Sequence, residues 1–201
     1  MESKKNEVLV NKIEIIEILP CFTTPGYIRF IAQADNRLDD VIPIIFLSNP
    51  IGKSNYAIKE NTLTIRLSDK ISDHNVTFFP SGKIGVTNTR DKDAAQEVIK
   101  IIKEMINNAY KEYLINGRPS EKELIDIKKI SWMDLYKYLP KTNCGKCGFQ
   151  ACSAFAINVL QGDSKLAQCV LLNDPKYSKN LEKLKKRFGK ILISSLGWSN
   201  S

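Results

Sequence analysis

Alternating apolar and polar positions predict β-strands over much of the first 90 residues. Residues 10–19 alternate except at Ile15–Ile16, an irregularity that a β-bulge would absorb. Residues 62–68 alternate without interruption, with Leu and Ile on one face and Thr and Arg on the other. Two further runs, 75–79 and 83–88, flank a Pro-Ser-Gly sequence that is typical of a tight turn. We therefore expect an antiparallel sheet that includes a hairpin.

Two segments of this region do not alternate. Thr24 and Pro25 are residue types preferred at the cap and the first position of a helix, and they predict a short helix through residues 27–33. The continuous apolar run 41–48 predicts a short buried strand, in which Pro43 indicates an edge or a bend.

The hydrophobic period changes at Asp91, where a long helix is expected to begin. Apolar residues then recur every three or four positions, at Ala95, Val98, Ile102, Met105, Ala109 and Tyr113. Gly117 and Pro119 favour an end to this helix. We predict an α+β fold: an N-terminal domain, residues 1–118, with an antiparallel sheet backed by helices, followed by a small helical domain, residues 119–201.

The second domain shows three helical segments. Residues 131–140 begin with the Ser-x-x-Asp spacing of a capping box and end at a proline. Apolar residues at helical spacing predict a second helix over 150–161 and an amphipathic final helix over 177–196.

The bulk composition is that of a globular protein. Of the 201 residues, 43% are hydrophobic and 26% are charged, and the chain is long enough to bury a core. No stretch approaches the ~18 consecutive apolar residues of a membrane helix. The first twelve residues lack the layout of a secretory signal, so we expect a cytoplasmic protein with reduced thiols. Five cysteines are also an odd number, which favours metal binding over a disulfide framework.

The net charge of +8 lies almost entirely in the second domain. Residues 1–118 hold 16 Lys/Arg against 15 Asp/Glu, whereas residues 119–201 hold 14 against 7. Seven basic residues and one acid fall within 176–190, through which an apolar stripe also runs. A packed amphipathic helix with solvated lysines is one interpretation of this segment. A surface for an acidic redox partner or for nucleic acid is the other.

Four cysteines form the strongest chemical signal. Cys144, Cys147, Cys152 and Cys169 have the spacing C-x2-C-x4-C-x16-C, and four thiolates are what a [4Fe–4S] cluster requires. The first two are each followed by glycine, which lets the loop adopt positive φ and direct N–H groups towards sulfur. Zinc is the chief alternative, but zinc ribbons present two closely spaced pairs of ligands, which this spacing does not reproduce.

The segment 136–169 resembles the four-iron cluster domain of the large corrinoid iron–sulfur protein subunit, the gamma subunit of acetyl-CoA decarbonylase/synthase, and a similar domain of Rnf-type electron-transport complexes. The shared residues are Leu139-Pro140, Thr142-Asn143-Cys144-Gly145, Cys147-Gly148, Cys152, Ala154-Phe155-Ala156, Gly162 and Cys169. The resemblance covers about a fifth of the chain and implies that the four cysteines bind the cluster, in a protein from an anaerobic archaeon. Val170 stands where these relatives often have proline. The barrel and corrinoid-binding domains of that family do not fit in the remaining residues.

A weaker resemblance concerns the first domain. The predicted hairpin and the helix that follows it resemble one half of the TATA-binding protein, with Ser81-Gly82-Lys83 at the turn and Asn88 where that family usually has glycine. The resemblance implies a curved antiparallel sheet backed by helices. The near-neutral charge of residues 1–118 argues against DNA binding by this sheet.

These observations predict electron transfer, or reductive activation of a partner such as a corrinoid-dependent enzyme, by a non-catalytic accessory protein. The alternative is a nucleic-acid-binding or scaffold protein whose cluster, or zinc ion, is structural. His74, the single histidine, is expected in an exposed loop, and Cys21 is expected to be a small buried residue outside the metal site, although a reactive thiol is a second interpretation.

Overall fold

The computed structural model describes residues 8–68 and 73–198. Their contacts divide the chain into two compact units. The first unit contains the described residues up to Phe46 together with Ser54–Ser120, and the second contains Leu47–Lys53 and the described residues from Glu121 onwards. A six-stranded antiparallel sheet in the first unit and a helical second unit confirm the α+β class.

The sheet has the spatial order β1-β2-β6-β5-β4-β3, with every neighbouring pair antiparallel. Its strands are β1 Ile13–Pro20, β2 Ile28–Ala34, β3 Ser54–Ala57, β4 Thr62–Ser68, β5 Asp73–Phe78 and β6 Lys83–Thr89. One face carries the core, where apolar side chains are fully buried: Phe30, Ala32, Leu63, Ile65, Val76, Phe78, Ile84 and Val86. On the other face, polar side chains meet across strands, as in the hydrogen bond between the hydroxyls of Thr64 and Thr77 at 3.0 Å.

The alternating segments form strands as predicted. The register of β1 shifts between Ile15 and Glu17, which is the irregularity expected at this position. β4 spans the predicted residues, and β5 and β6 form the predicted hairpin around Gly82, whose φ is 87°. Asn88 adopts φ 64°, a left-handed conformation that asparagine tolerates better than most non-glycine residues.

The predicted strand over 41–48 is wrong, because residues 42–47 form the helix α1, Ile42–Leu47. All residues from Val41 to Leu47 are buried, so this short helix is apolar on every side. A continuous apolar run carries no period that distinguishes a buried helix from a buried strand. Pro43 lies in the first turn, where a helix tolerates a missing N–H.

The helix predicted from Pro25 through residue 33, with Thr24 as its cap, is also wrong. Residues 28–34 form β2, which pairs with β1 on one side and β6 on the other. Phe30, Ala32 and Ala34 alternate on the buried face, a pattern that the cap-like Thr24-Pro25 pair obscured. Gly26, with φ 82°, makes a turn ahead of the strand instead.

His74 lies in β5 and is fully buried, which corrects the expectation of an exposed loop. Its Nδ1 lies 3.3 Å from the hydroxyl of Thr89, which is also buried. The alternation of β5, with His74 and Val76 directed inwards, continues through polar residues that we expected in a loop.

The long helix α2, Lys92–Asn116, begins and ends as predicted. The Asp91 carboxylate accepts the N–H of Ala94 at 2.8 Å, and Gly117 follows the last turn with φ 72°. The buried face of α2 packs against β6 and includes the polar Asn107. The Asn107 side chain accepts the N–H groups of Leu9 and Val10 and donates to the carbonyl of Val10, all at 2.9–3.0 Å. It thereby fixes the segment that precedes β1.

The second unit is built from short helices around its own core. Its α-helices are α3 Glu121–Lys128, α4 Trp132–Tyr136, α5 Cys152–Gln161 and α6 Ser178–Ser195, with 3₁₀ helices at Ile51–Lys53, Leu166–Gln168, Val170–Asn173 and Pro175–Tyr177. The capping spacing at α4 is realised, because the Asp134 carboxylate accepts from the N–H and the hydroxyl of Ser131. The helix predicted over 131–140 nevertheless ends at Tyr136, and the predicted final helix is interrupted at Gly189, whose φ is 74°.

Residues 47–53, which run from the last residue of α1 to the residue before β3, belong to the second unit. Their 3₁₀ helix packs against α5, and the Lys53 ammonium donates to the carbonyl of Gly162 at 3.1 Å. Gly52 lies so close to α5 that a Cβ would stand 2.7 Å from the Cα of Gln161. This segment therefore packs on the C-terminal end of α5 and stabilises it.

Candidate metal centre

The loop between α4 and α5 has an unusual backbone. Lys141, Asn143, Gly145 and Gly148 all adopt positive φ, between 49° and 90°. The two glycines realise the conformations that we expected after Cys144 and Cys147. Left-handed residues at short intervals turn successive N–H groups towards the inside of a loop, which suits an anionic ligand.

Asn143 connects this loop to the start of α5. Its Oδ1 accepts the N–H of Cys152 at 2.9 Å, so a side chain nine residues earlier caps the first turn of the helix. Ala151 occupies the cap position itself and has no side chain that could serve. Cys152 is consequently held at the first helical position, two residues after the predicted start of this helix, and its orientation is coupled to the loop that carries Cys144 and Cys147.

The structure brings the four predicted cysteines to one pocket. Other residues with atoms in its wall are Pro140, Thr142, Gly145, Lys146, Phe149, Phe155, Val170 and Leu171. Cys152 and Cys169 are 8% and 7% exposed, Cys147 is half-buried and Cys144 is exposed. The pocket therefore has an inner pair of thiols and an outer edge that reaches solvent.

Aromatic side chains and apolar segments form the inner wall. The rings of Phe149 and Phe155 are in contact, with centroids 5.7 Å apart. Phe155 is fully buried on the same face of α5 as Cys152, which places the thiol in the apolar core of the unit. An apolar wall behind thiol ligands limits water access and lowers the local dielectric constant, both of which tune a bound metal.

The thiols differ in their electrostatic surroundings. The N–H of Lys146 and the hydroxyl of Thr142 hydrogen-bond to the sulfur of Cys144 and lower the pKa of this thiol. Burial raises the pKa of the Cys169 thiol, against hydrogen bonds from the backbone that follows it. The Cys144 thiol is thus more readily deprotonated than the Cys169 thiol. A metal that binds Cys169 would have to displace the proton of this thiol, which would be released to solvent.

The chemistry of this donor set fits an iron–sulfur cluster. Four thiols around one pocket with apolar walls are the ligands and surroundings that such clusters use. Among the residues that the structure describes, no group of three or more His, Cys, Asp or Glu side chains has the geometry of a site for a single metal ion.

Cys21 follows β1 in the first unit and is half-exposed, which corrects the expectation of a buried residue. Its sulfur lies 3.4 Å from the hydroxyl of Thr23. This hydroxyl and neighbouring backbone N–H groups lower the pKa of Cys21 to about 7. No basic residue neighbours Cys21 in the sequence, so the lowered pKa could not be predicted from charge; its cause is a hydroxyl group and the backbone.

The basic segment 176–190 is an amphipathic surface helix over much of its length. Leu184 and Phe188 of α6 are buried, and the ring of Tyr138 meets Phe188 edge-on at 6.2 Å. The expected apolar stripe is therefore confirmed. Within the described residues, no helix combines the length and apolar character needed to cross a membrane.

Comparison with known proteins assigns the site to a class. Residues 139–171 match the family model described as "Putative Fe-S cluster", so this segment of the second unit is similar to the iron–sulfur domains of that family. The matched residues include all four cysteines of the pocket. This confirms the resemblance that the cysteine motif indicated.

Several curated proteins are similar to part of this chain. The chain is 54% identical over 57 residues to acetyl-CoA decarbonylase/synthase complex subunit gamma of Methanocaldococcus jannaschii, and the aligned residues make up 28% of this chain and 12% of that protein. It is 41% identical over 63 residues to the same subunit of Archaeoglobus fulgidus, 29% of this chain and 13% of the relative. An uncharacterized protein of M. jannaschii is 39% identical over 64 residues, 32% of this chain and 26% of its own length. The chain thus spans only a small part of the length of these relatives. No solved structure matches it.

Proposed function

We propose that Cys144, Cys147, Cys152 and Cys169 bind one [4Fe–4S] cluster. The observation that carries this proposal is the convergence of these four thiols on one apolar pocket, within the segment that matches the iron–sulfur family. A cluster bound there would supply a one-electron redox centre. Asn143 and the positive-φ loop would hold the outer ligands, and Phe149 and Phe155 would keep water from the inner side.

The function that this site supports best is single-electron transfer to, or reductive activation of, a partner protein. Cys144 is exposed, so an electron could leave through the outer edge of the pocket without a change in fold. The relatives named as acetyl-CoA decarbonylase/synthase subunits favour a partner with a corrinoid or another low-potential metal centre. A reducing, cytoplasmic setting would keep these thiols available for a metal.

The test is a metal analysis of the full chain purified without oxygen. We expect about four irons and four sulfides per chain, and an EPR signal after reduction with dithionite. Replacing the outer ligand in Cys144→Ser or the inner ligand in Cys169→Ser should abolish or strongly alter this signal. Cys21→Ser is the matched control, because Cys21 lies in the other unit, and it should retain full iron content and an unchanged spectrum.

Two results would contradict the proposal. One zinc per chain without iron would show that the thiols form a structural site, which leaves a scaffold or nucleic-acid-binding protein. An iron content unaffected by either ligand variant would show that the cluster lies elsewhere.

A further inference from the structure

The exposed side of α6 carries a compact group of positive charges. Four basic residues of the helix lie on its solvent side and are exposed: Lys179, Lys183, Lys186 and Arg187, here called the basic face. At about 100° per residue, these positions occupy an arc of about 100°. The three lysines lie about 100–180° around the helix from the buried Leu184 and Phe188, whereas Arg187 lies about 60–100° from them. The lysines of the basic face therefore point away from the surface on which α6 packs, and Arg187 lies at its margin.

The start of this face adjoins the wall of the cysteine pocket on two sides. The 3₁₀ helix Val170–Asn173, which contributes Val170 and Leu171 to the pocket, packs against α6. On the other side, the Asn180 side chain donates to the carbonyl of Tyr138 at 3.1 Å, two residues before Pro140 of the pocket wall. The first turn of α6, which carries Lys179, is thus held between two segments that line the pocket.

The mouth of the pocket carries a further positive charge and an exposed apolar side chain. Lys146 lies between the two outer cysteines in sequence and is exposed, and Val170, which follows Cys169, is 49% exposed. A patch with an apolar centre and positive charges at its margin is a common composition for a protein interface, since apolar contacts provide affinity while charges guide the encounter. Glu182 is the only acid in α6.

We propose that the basic face, together with Lys146 and Val170, is the docking surface for an acidic protein that exchanges electrons with the pocket. This inference rests on the proposed function, because it takes the pocket as the redox centre. Charge complementarity selects the partner: its redox centre would be surrounded by Asp and Glu side chains. The lysines span only about 10 Å along the helix, which suits a small carboxylate patch better than the extended phosphate track of a nucleic acid.

The experiment measures binding, which does not require electron transfer. The probe is a purified plant-type [2Fe–2S] ferredoxin, a small acidic carrier, labelled for fluorescence anisotropy and titrated with the full chain. Cytochrome c, a basic carrier, is the opposite-charge probe. Titrations are run at ionic strengths of about 10 mM and about 150 mM, where the Debye length falls from ~30 Å to ~8 Å.

Two variants with the same change in net charge separate a local surface from a general charge effect. The test variant reverses three charges of the basic face: Lys179→Glu, Lys183→Glu and Lys186→Glu. The control variant reverses three exposed lysines of α2 and α3: Lys92→Glu, Lys111→Glu and Lys122→Glu.

We expect the wild-type chain to bind ferredoxin at low ionic strength and not to bind cytochrome c. Kd for ferredoxin should rise at least about tenfold in the test variant and less than about threefold in the control. Equal losses in both variants would overturn the proposal, since net charge alone would explain them. A short RNA duplex that displaces ferredoxin and stays bound at the higher ionic strength would also overturn it, in favour of a nucleic-acid surface.

Failure of this proposal and failure of the proposed function give different results. If the chain contains no iron but its ferredoxin binding is lost in the test variant, the proposed cluster is refuted and the proposed docking surface stands. A chain with a reducible cluster whose ferredoxin binding is the same in both variants would refute only the docking surface.

Discussion

Replacing Asn107 should detach the segment before β1 without unfolding the sheet. In Asn107→Ala, two N–H groups and one carbonyl of Leu9 and Val10 lose their partners. If the segment stayed in place, each buried unsatisfied group would cost about 1–3 kcal/mol, a total of about 3–9 kcal/mol. If the segment left, water would satisfy these groups, and the main loss would be the burial of Val10, worth about 1.5–3 kcal/mol. The second cost is smaller, so we expect local release and a loss of about 1.5–3 kcal/mol in the free energy of unfolding.

Urea unfolding followed by far-ultraviolet circular dichroism measures this free energy, and hydrogen exchange locates the change. The amides of Leu9 and Val10 should lose protection in Asn107→Ala, whereas amides in the central strands β5 and β6 should keep protection relative to the new global stability. Asn108→Ala is the matched control on the exposed side of α2, and its stability should change by less than about 0.5 kcal/mol. Native protection at both amides in Asn107→Ala would refute the reasoning.

Two further predictions concern the second unit, which contains both tryptophans of the chain. Gly52→Ala would place a Cβ 2.7 Å from the backbone of Gln161, so it should destabilise this unit by about 1–3 kcal/mol, as measured by unfolding followed by tryptophan fluorescence. Gly85→Ala is the control, because its Cβ would meet open space, and it should leave that transition unchanged. Equal effects of the two substitutions would contradict the clash. The N–H of Ser131 and other donors lower the pKa of Asp134 from 3.8 to about 2. Its stabilising effect is therefore present above pH 4 and is lost as pH falls towards 2. Asp134→Asn should lose about 1 kcal/mol at pH 7 and show less of this acid-dependent loss, whereas parallel pH profiles for the two proteins would refute the assignment.

Sequence periodicity predicted the elements whose pattern is set locally. β4 and the hairpin of β5 and β6 alternate cleanly, and α2 has both a polar cap and a left-handed stop, so short-range chemistry is sufficient there. α1 and β2 were misassigned for a different reason. The apolar run of α1 has no period, and the strand character of β2 comes from pairing with two neighbours that are remote in sequence.

The candidate site shows the same limit. The four cysteines could be selected from spacing and chemistry alone, and the structure places them around one pocket, while their role as ligands stays a prediction. The contact of Asn143 with Cys152 could not be predicted, because it depends on the course of the loop between them. The burial of His74 was not predicted because both of its sequence neighbours, Asp73 and Asn75, are polar. His74 nevertheless lies on the same strand face as the buried Val76.

The membership of residues 47–53 in the second unit has a consequence for moving the iron–sulfur segment into other proteins. The polypeptide enters this unit, leaves it for residues 54–120, and enters it again. A transplant of residues 121–201 alone would leave the end of α5 without the packing of Gly52 and the hydrogen bond from Lys53. Folding of the second unit depends on the first unit in the same way. Bringing residues 47–53 and 121–201 together closes a loop of residues 54–120, and this closure costs less entropy once those residues have folded into the sheet and its helix. A protein that receives residues 121–201 must therefore also receive residues 47–53, joined through a linker or added as a separate peptide.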